Sequence, residues 1–211
     1  MLYIFDWDGT VSDSTDKIVT CVQAAARDVS LPELDSETVK NIIGLGLKEA
    51  INTLYPNIDE DTAQHFTRAY SGHFIDRDTV PSAFFPNVIS VLNQLRDDNF
   101  KIAVATGKSR KGLDRVLSNL NLSTFFDYTR CADETASKPH PLMLEQILTE
   151  AQCDVDQAVM VGDTEWDMKM ADNIGMRKIA LSYGAHTPER LYECSPDMLT
   201  DDFIRILEWQ F

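Results

Sequence analysis

Apolar residues fall along this chain in two rhythms. Short, nearly unbroken runs appear at Leu2-Tyr3-Ile4-Phe5, at 101–105 (KIAVA), at 158–161 (AVMV) and at 178–181 (KIAL). Runs of this length without alternation read as strands buried on both faces, the pattern of a parallel sheet. Residues 127–131 (DYTRC) form a weaker strand candidate. Between the runs the period becomes helical. Val88, Val91, Leu92 and Leu95 share one helical face, as do Leu113, Val116, Leu117 and Leu120. Residues 141–150 and 167–174 are further helix candidates, the second stopping at Gly175. Alternation of strand and helix predicts a three-layer α/β core with a mostly parallel sheet.

One segment breaks the alternation. Residues 15–80 contain no convincing strand and read as helices over 16–29, 36–43, 47–54 and 59–76, with turns at Leu31-Pro32 and Tyr55-Pro56. The expected organisation is therefore a core built from 1–14 and 81–211, with an α-helical insert over 15–80. There is no internal repeat and no low-complexity tract.

The polar residues that matter sit where the strands end. The first strand delivers Asp6 and Asp8, the second Thr106 and Gly107, and the strand at 158–161 delivers Asp163, with Asp167 one helical turn later. Ser137-Lys138-Pro139-His140-Pro141 precedes a helix. In open α/β sheets, functional groups gather at these carboxyl ends. Asp6 and Asp8 also pose a physical problem. Two positions apart on a strand, they would point the same way, and like charges about 4 Å apart repel by roughly 4 kcal/mol at an effective dielectric near 20. A turn, a cation or a proton must relieve this. Several carboxylates on one rim call for a hard divalent cation, and Mg²⁺ suits an all-oxygen site. Beside such a cation Asp6 stays ionised and is available as a nucleophile, while a protonated Asp8 serves as general acid and base. Thr106 and Lys138 supply the donor and the positive charge that a bound phosphoryl group requires. The plain alternatives are an Asp-Gly turn at Asp8-Gly9 and helix caps at Thr106 and Asp163.

Composition narrows the function further. The 211 residues carry a formal charge of −15 and a pI of about 4.5, so nucleic acid is not an expected partner. The four cysteines, Cys21, Cys131, Cys153 and Cys194, contain no C-x-x-C pair and fit free thiols in a reducing, cytoplasmic setting. No basic region followed by an apolar stretch marks a signal peptide, and no run reaches the ~18 apolar residues of a membrane span. Gly107-Lys108-Ser109 is not a nucleotide-binding P-loop, because the glycine required five residues earlier is Ile102. Lys108 reads equally as a phosphate contact and as a solvated lysine. Trp166 reads as packing rather than chemistry, and His140, next to Lys138, more as a residue outside the site than as one near it.

Taken in order, these residues resemble the motifs of the haloacid dehalogenase-like hydrolases, specifically the phosphoglycolate phosphatase-like branch. Asp6-Trp7-Asp8-Gly9-Thr10 matches that family's D-x-D-G-T/V. Thr106 matches its strand-terminal Ser/Thr, Lys138-Pro139-His140-Pro141 its K-P-x-P, and Gly162-Asp163 with Asp167 its G-D-x-x-x-D. The resemblance implies a Rossmann-like core with an inserted helical cap, and a Mg²⁺-dependent phosphomonoester hydrolase of a small phosphorylated metabolite, phosphoglycolate-like or a sugar phosphate. It implies an aspartyl-phosphate on Asp6, proton transfer by Asp8, and phosphate binding by Thr106, Gly107 and Lys138. It places the metal on Asp6, the backbone carbonyl of Asp8, and Asp163, with Asp167 behind them. Gly44-Leu45-Gly46, a helix–helix turn by composition, would lie near the substrate. A phosphosugar mutase shares all four motifs and is the main alternative. A phosphonate-cleaving relative, with Lys48 as a Schiff-base lysine, is a lesser one because Asp8 argues against it. Neither the substrate nor the oligomeric state is specified by these residues.

Overall fold

Six strands lie in the order β3-β2-β1-β4-β5-β6, and every neighbouring pair is parallel. The structure is a computed structural model and describes residues 1–76 and 82–210. The strands are β1 (Leu2–Phe5), β2 (Lys101–Thr106), β3 (Tyr128–Cys131), β4 (Ala158–Gly162), β5 (Arg177–Leu181) and β6 (Met198–Thr200). The chain runs outward from β1 through β2 to β3, then returns across the sheet to β4. This reversal beside β1 opens the crevice at the strand ends in which open α/β sheets bind ligands.

Both sheet faces are covered, which is why the strands read as continuous apolar runs. Tyr3, Phe5, Ile102, Val104, Val159 and Val161 pack on one side with Val88, Val91, Leu92 and Leu95 of α5 (Val88–Asp97) and with Leu113 and Leu117 of α6 (Arg110–Asn119). Leu2, Ile4, Ala103, Ala105 and Met160 pack on the other with Met143, Leu144 and Ile147 of α7 (Leu142–Ala151) and Met170 of α8 (Glu165–Asp172). Each fully buried aliphatic or aromatic side chain here contributes about 1.5–3 kcal/mol from area removed from water. All five strands expected from the sequence are present. The edge strand β6 and the short α9 (Pro188–Glu193) were not expected. Three residues with an exposed centre, and six residues of helix, are too short to show a period.

Between β1 and α5 lie α1 (Thr15–Asp28), α2 (Ser36–Lys40), α3 (Leu47–Leu54) and α4 (Glu60–Asp76). They share an apolar cluster of their own, including Ile18, Val22, Val39, Ile51, Tyr55 and Phe66. The helix expected over 36–43 ends at Lys40, and turns carry the chain to Gly44, whose φ of +96° is one that L side chains rarely adopt. The two connections between this segment and the core run side by side. The Asp13 N–H donates to the Ala83 carbonyl at 2.8 Å, and Ser12 bridges Phe84 in antiparallel fashion. The expected boundary at residue 80 lies outside the described residues. No helix among the described residues is long and apolar enough to cross a membrane.

Candidate active site

β1 ends at Phe5, and its alternation decides where the next residues point. Tyr3, Phe5 and Trp7 face the same apolar layer, and the buried Trp7 ring meets Phe84 and Phe126 edge-on at 6.4 and 6.0 Å. Asp6 therefore faces the opposite side, at the sheet's C-terminal rim. A turn then reverses the chain: the Val11 and Ser12 N–H groups both donate to the Trp7 carbonyl, at 3.0 and 2.9 Å. Gly9 makes the turn possible. Its φ is +85°, and a Cβ there would overlap the Asp163 carboxylate. The turn separates the two aspartates, and so answers the repulsion that a continued strand would impose.

Asp6 joins Lys138, Asp163 and Asp167 in a buried cluster. Lys138 Nζ sits 2.6 Å from Asp6 Oδ1 and 2.6 Å from Asp167 Oδ1. Asp167 holds its place through a capping box, in which its Oδ2 accepts from the Thr164 N–H and hydroxyl while the Thr164 hydroxyl accepts from the Asp167 N–H. Asp163 Oδ1 accepts from the Thr10 hydroxyl at 2.6 Å, and its Oδ2 from the Ala185 N–H at 2.7 Å. Three carboxylates around one ammonium leave the cluster short of positive charge. Burial, followed by repulsion from Asp167, pushes the Asp163 carboxyl up to about 7. Burial also raises Asp6 well above the carboxylate range, with Asp167 and Asp163 adding to it and Lys138 opposing. For Lys138, burial works downward but Asp167 and Asp6 outweigh it, so the ammonium is held charged.

Carboxylate oxygens of Asp6, Asp163 and Asp167 lie within 4.8 Å of one another, and Asp6 Oδ2 is buried without a hydrogen-bond partner. An orphaned oxygen in an anionic, all-oxygen cluster fits a hard divalent cation. Replacing Lys138 with Ala strips the only ammonium that the described residues bring to this cluster. The Lys138→Ala variant should lose about 3–5 kcal/mol of stability, the usual cost of leaving buried charge unpaired. Denaturant unfolding in chelator measures this.

Asp8 is not in that cluster. Three or four carboxylates were expected to converge on one rim; the structure brings Asp6, Asp163 and Asp167 together. Asp8 instead accepts from the Ser14 hydroxyl at 2.6 Å and pairs with Lys108 Nζ at 2.8 Å. Lys108 is thus neither solvated nor simply a phosphate contact. Its backbone N–H also donates to Thr106 Oγ1 at 3.2 Å, at the end of β2. Asp6, Asp8, Thr106, Gly107 and Lys108 all line one cavity, which reaches into the helical segment.

That segment is closed down on the core. The Gly46 N–H donates to Ser137 Oγ at 2.8 Å, and Trp166 Nε1 donates to the Asn41 carbonyl at 3.1 Å. Trp166, expected only to pack, is therefore part of the contact between core and helices. Gly107 abuts the main chain of Gly44 and Leu45, where any Cβ would overlap their carbonyl oxygens. Gly107→Ala should prop the two apart and lower kcat/KM by about 10–100-fold, the scale of a ~1 Å misplacement. Steady-state kinetics alongside circular dichroism checks this. His140 is exposed and accepts from the Leu142 N–H at a helix start. Lys48 is exposed on α3 and does not line the cavity.

The model of the family described as haloacid dehalogenase-like hydrolase matches residues 3–181. This chain belongs to that family. Among curated relatives of this haloacid dehalogenase-like hydrolase, the probable phosphatase IndB of Dickeya dadantii is 31% identical over 98% of this chain and 91% of its own. The phosphoglycolate phosphatase of Vibrio cholerae is 28% identical over 98% and 95%. A solved hydrolase from Pseudomonas syringae superposes with a TM-score of 0.90 at 20% identity, covering 99% and 96% of the two chains, which is a likeness of fold. Within this family member, sequence reasoning passed over Ser14, Thr10 and Ala185. Thr10 was visible as the last residue of the first motif. Ser14 and Ala185 had no signal, since an ordinary serine and a loop N–H become partners only by folding.

Proposed function

We propose that this chain is a Mg²⁺-dependent phosphomonoester hydrolase acting on a small soluble metabolite in the cytoplasm, through an aspartyl-phosphate on Asp6. The observation that carries the reading is the division of the two aspartates. One carboxylate lies in the cationic and acidic cluster with a free oxygen. The other lies on the cavity side with a hydroxyl and an ammonium as partners.

In the first step an Asp6 oxygen attacks phosphorus, the Asp6–phosphorus bond forms, and the bond to the leaving oxygen breaks. Asp8 delivers a proton to that oxygen. In the second step Asp8 takes a proton from water, which attacks phosphorus and frees Asp6. Thr106, the Gly107 main chain and Lys138 hold the phosphoryl oxygens throughout. Asp6, the backbone carbonyl of Asp8, and Asp163 would hold Mg²⁺, with Asp167 orienting Lys138. When bound, the ion offsets negative charge on the transferring phosphoryl group. The helical segment acts as a cap whose closure excludes bulk water before attack, with one hinge at 13–16; the second linker, 79–84, lies partly outside the described residues. The names of the two curated relatives support phosphatase chemistry over the alternatives. The exposure of Lys48 counts against a Schiff-base, phosphonate-cleaving reaction.

Phosphate release with Mg²⁺ tests the reading. Inorganic phosphate should appear in proportion to ester lost, with no sugar bisphosphate needed. Rapid conversion of β-glucose 1-phosphate to the 6-phosphate by NMR, primed by a bisphosphate and without free phosphate, would make the chain a mutase instead.

A further inference from the structure

The cavity above the carboxylates has a volume of about 260 Å³ and two unlike walls. The core wall carries all of its charge: Asp6, Asp8, Lys108, Lys111 and Arg115. The opposite wall comes from the helical segment and includes Ile18, Val22, Ala50, Ile51, Phe66 and Phe74. Among the described residues that wall has no charged side chain, and Tyr70 and Ser71 supply its only hydroxyls. The chamber is also seen with the segment seated on the core, through the Gly46–Ser137 and Trp166–Asn41 hydrogen bonds.

We propose that the group esterified to phosphate in this enzyme's substrate is an uncharged, largely apolar body the size of a substituted six-membered ring or a six-carbon chain, and not a compact second anion. This rests on the phosphomonoester hydrolase reading. The floor of the chamber takes the phosphoryl group, so the leaving group must extend into the helical wall. Cations gather at the Phe74 end of that wall, where Lys17 lies 4.3 Å and Arg115 5.9 Å from the ring. A carboxylate among Ile18, Val22, Ala50, Ile51 and Phe66 would instead be desolvated with no lining cation of the helical segment to meet it, and burying an unpaired charge is strongly unfavourable. Lys108, the cation beside the two aspartates, already pairs with Asp8 and lies over the Phe74 ring at 4.5 Å. Lys111 and Arg115 lie one turn apart on α6, on the core side. Size points the same way. An apolar cavity of about 150 Å³ holds a benzene molecule, and this one is larger. An apolar lining with a few hydroxyls is also the usual make-up of sites for neutral organic groups.

The test uses n-alkylphosphonates, whose carbon–phosphorus bond does not turn over, titrated calorimetrically into the whole protein with Mg²⁺. Kd should fall roughly three- to fourfold per methylene, on the order of 10²-fold from ethyl- to hexylphosphonate. Phosphonoacetate should bind at least about tenfold more weakly than propylphosphonate, reversing the order expected of a site for a second anion. A flat series, or tighter binding of phosphonoacetate, overturns the proposal. Ala50→Leu, which fills part of the helical wall, should bring the hexyl-to-ethyl ratio towards one; an unchanged ratio in a folded variant would place the chain elsewhere and overturn the assignment. The series on the unaltered protein stands if that variant does not fold. Phosphate release from ethyl and hexyl phosphate is measured in parallel. Release without length-dependent binding keeps the hydrolase reading and rejects this one. Length-dependent binding without release rejects the hydrolase reading and leaves only an apolar chamber, with no leaving group assigned to it.

Discussion

Asp6→Asn is expected to abolish phosphate release and to leave no covalent intermediate, whereas Asp8→Asn is expected to slow turnover by roughly 10²–10⁴-fold, the worth of a positioned proton donor. The difference follows from position. Asp6 supplies the buried oxygen that would attack, beside Lys138 and the other two carboxylates. Asp8 lies on the cavity side, held by Ser14 and Lys108, where a leaving oxygen would depart. With an aryl phosphate the leaving group needs little protonation, so the first step in Asp8→Asn should outrun the second. Aspartyl-phosphate should then accumulate and add the mass of one phosphoryl group to the quenched protein. In Asp6→Asn the Lys138 ammonium keeps Asp167 as partner at 2.6 Å, so loss of activity should not come from unfolding. Similar residual activity in both variants would contradict the division of labour.

Chelation is the second large effect. Asp6, Asp163 and Asp167 crowd three carboxylates around a single ammonium, and the orphaned Asp6 oxygen has nothing else to bind. Excess chelator should abolish turnover and Mg²⁺ should restore it. Calcium accepts more ligands at longer distances than magnesium, so it is expected to bind without supporting turnover. Binding is visible apart from activity. A ligand present at about 100 times its Kd adds about 2.7 kcal/mol to the folded state, which a thermal melt reads as a rise in Tm. That rise should vanish in Asp163→Asn, which replaces one carboxylate of the set. Full activity in chelator would overturn the metal-dependent mechanism.

The core was legible because its physics is local. Four strands stand out as apolar runs, since a parallel strand between two helical layers buries both faces. Ile4 and Phe5 pack on opposite sides of the sheet, and neither position tolerates a polar residue. The helices appear through their period. β6 escaped because an edge strand of three residues has an exposed Leu199 at its centre. The site residues were legible for a related reason. Parallel strands end on one side, so Asp6, Thr106 and Asp163 had to share a rim once the runs before them were strands.

What each residue on that rim touches was not local. By itself the sequence determined the α/β class, the helical insert, and the identity of the polar residues at the strand ends, because burial and period are written into neighbouring positions. Only the tertiary structure decided that Asp8 turns away from the other carboxylates to meet Lys108, a hundred residues later in the chain. Only it decided that Gly107 must lack a side chain to let the backbone of Gly44 and Leu45 approach, and that the chamber between them has one charged wall and one apolar wall. These features depend on distances between segments far apart in the chain. Such distances are set by how the helices close over the sheet, and no pattern within a single segment records them.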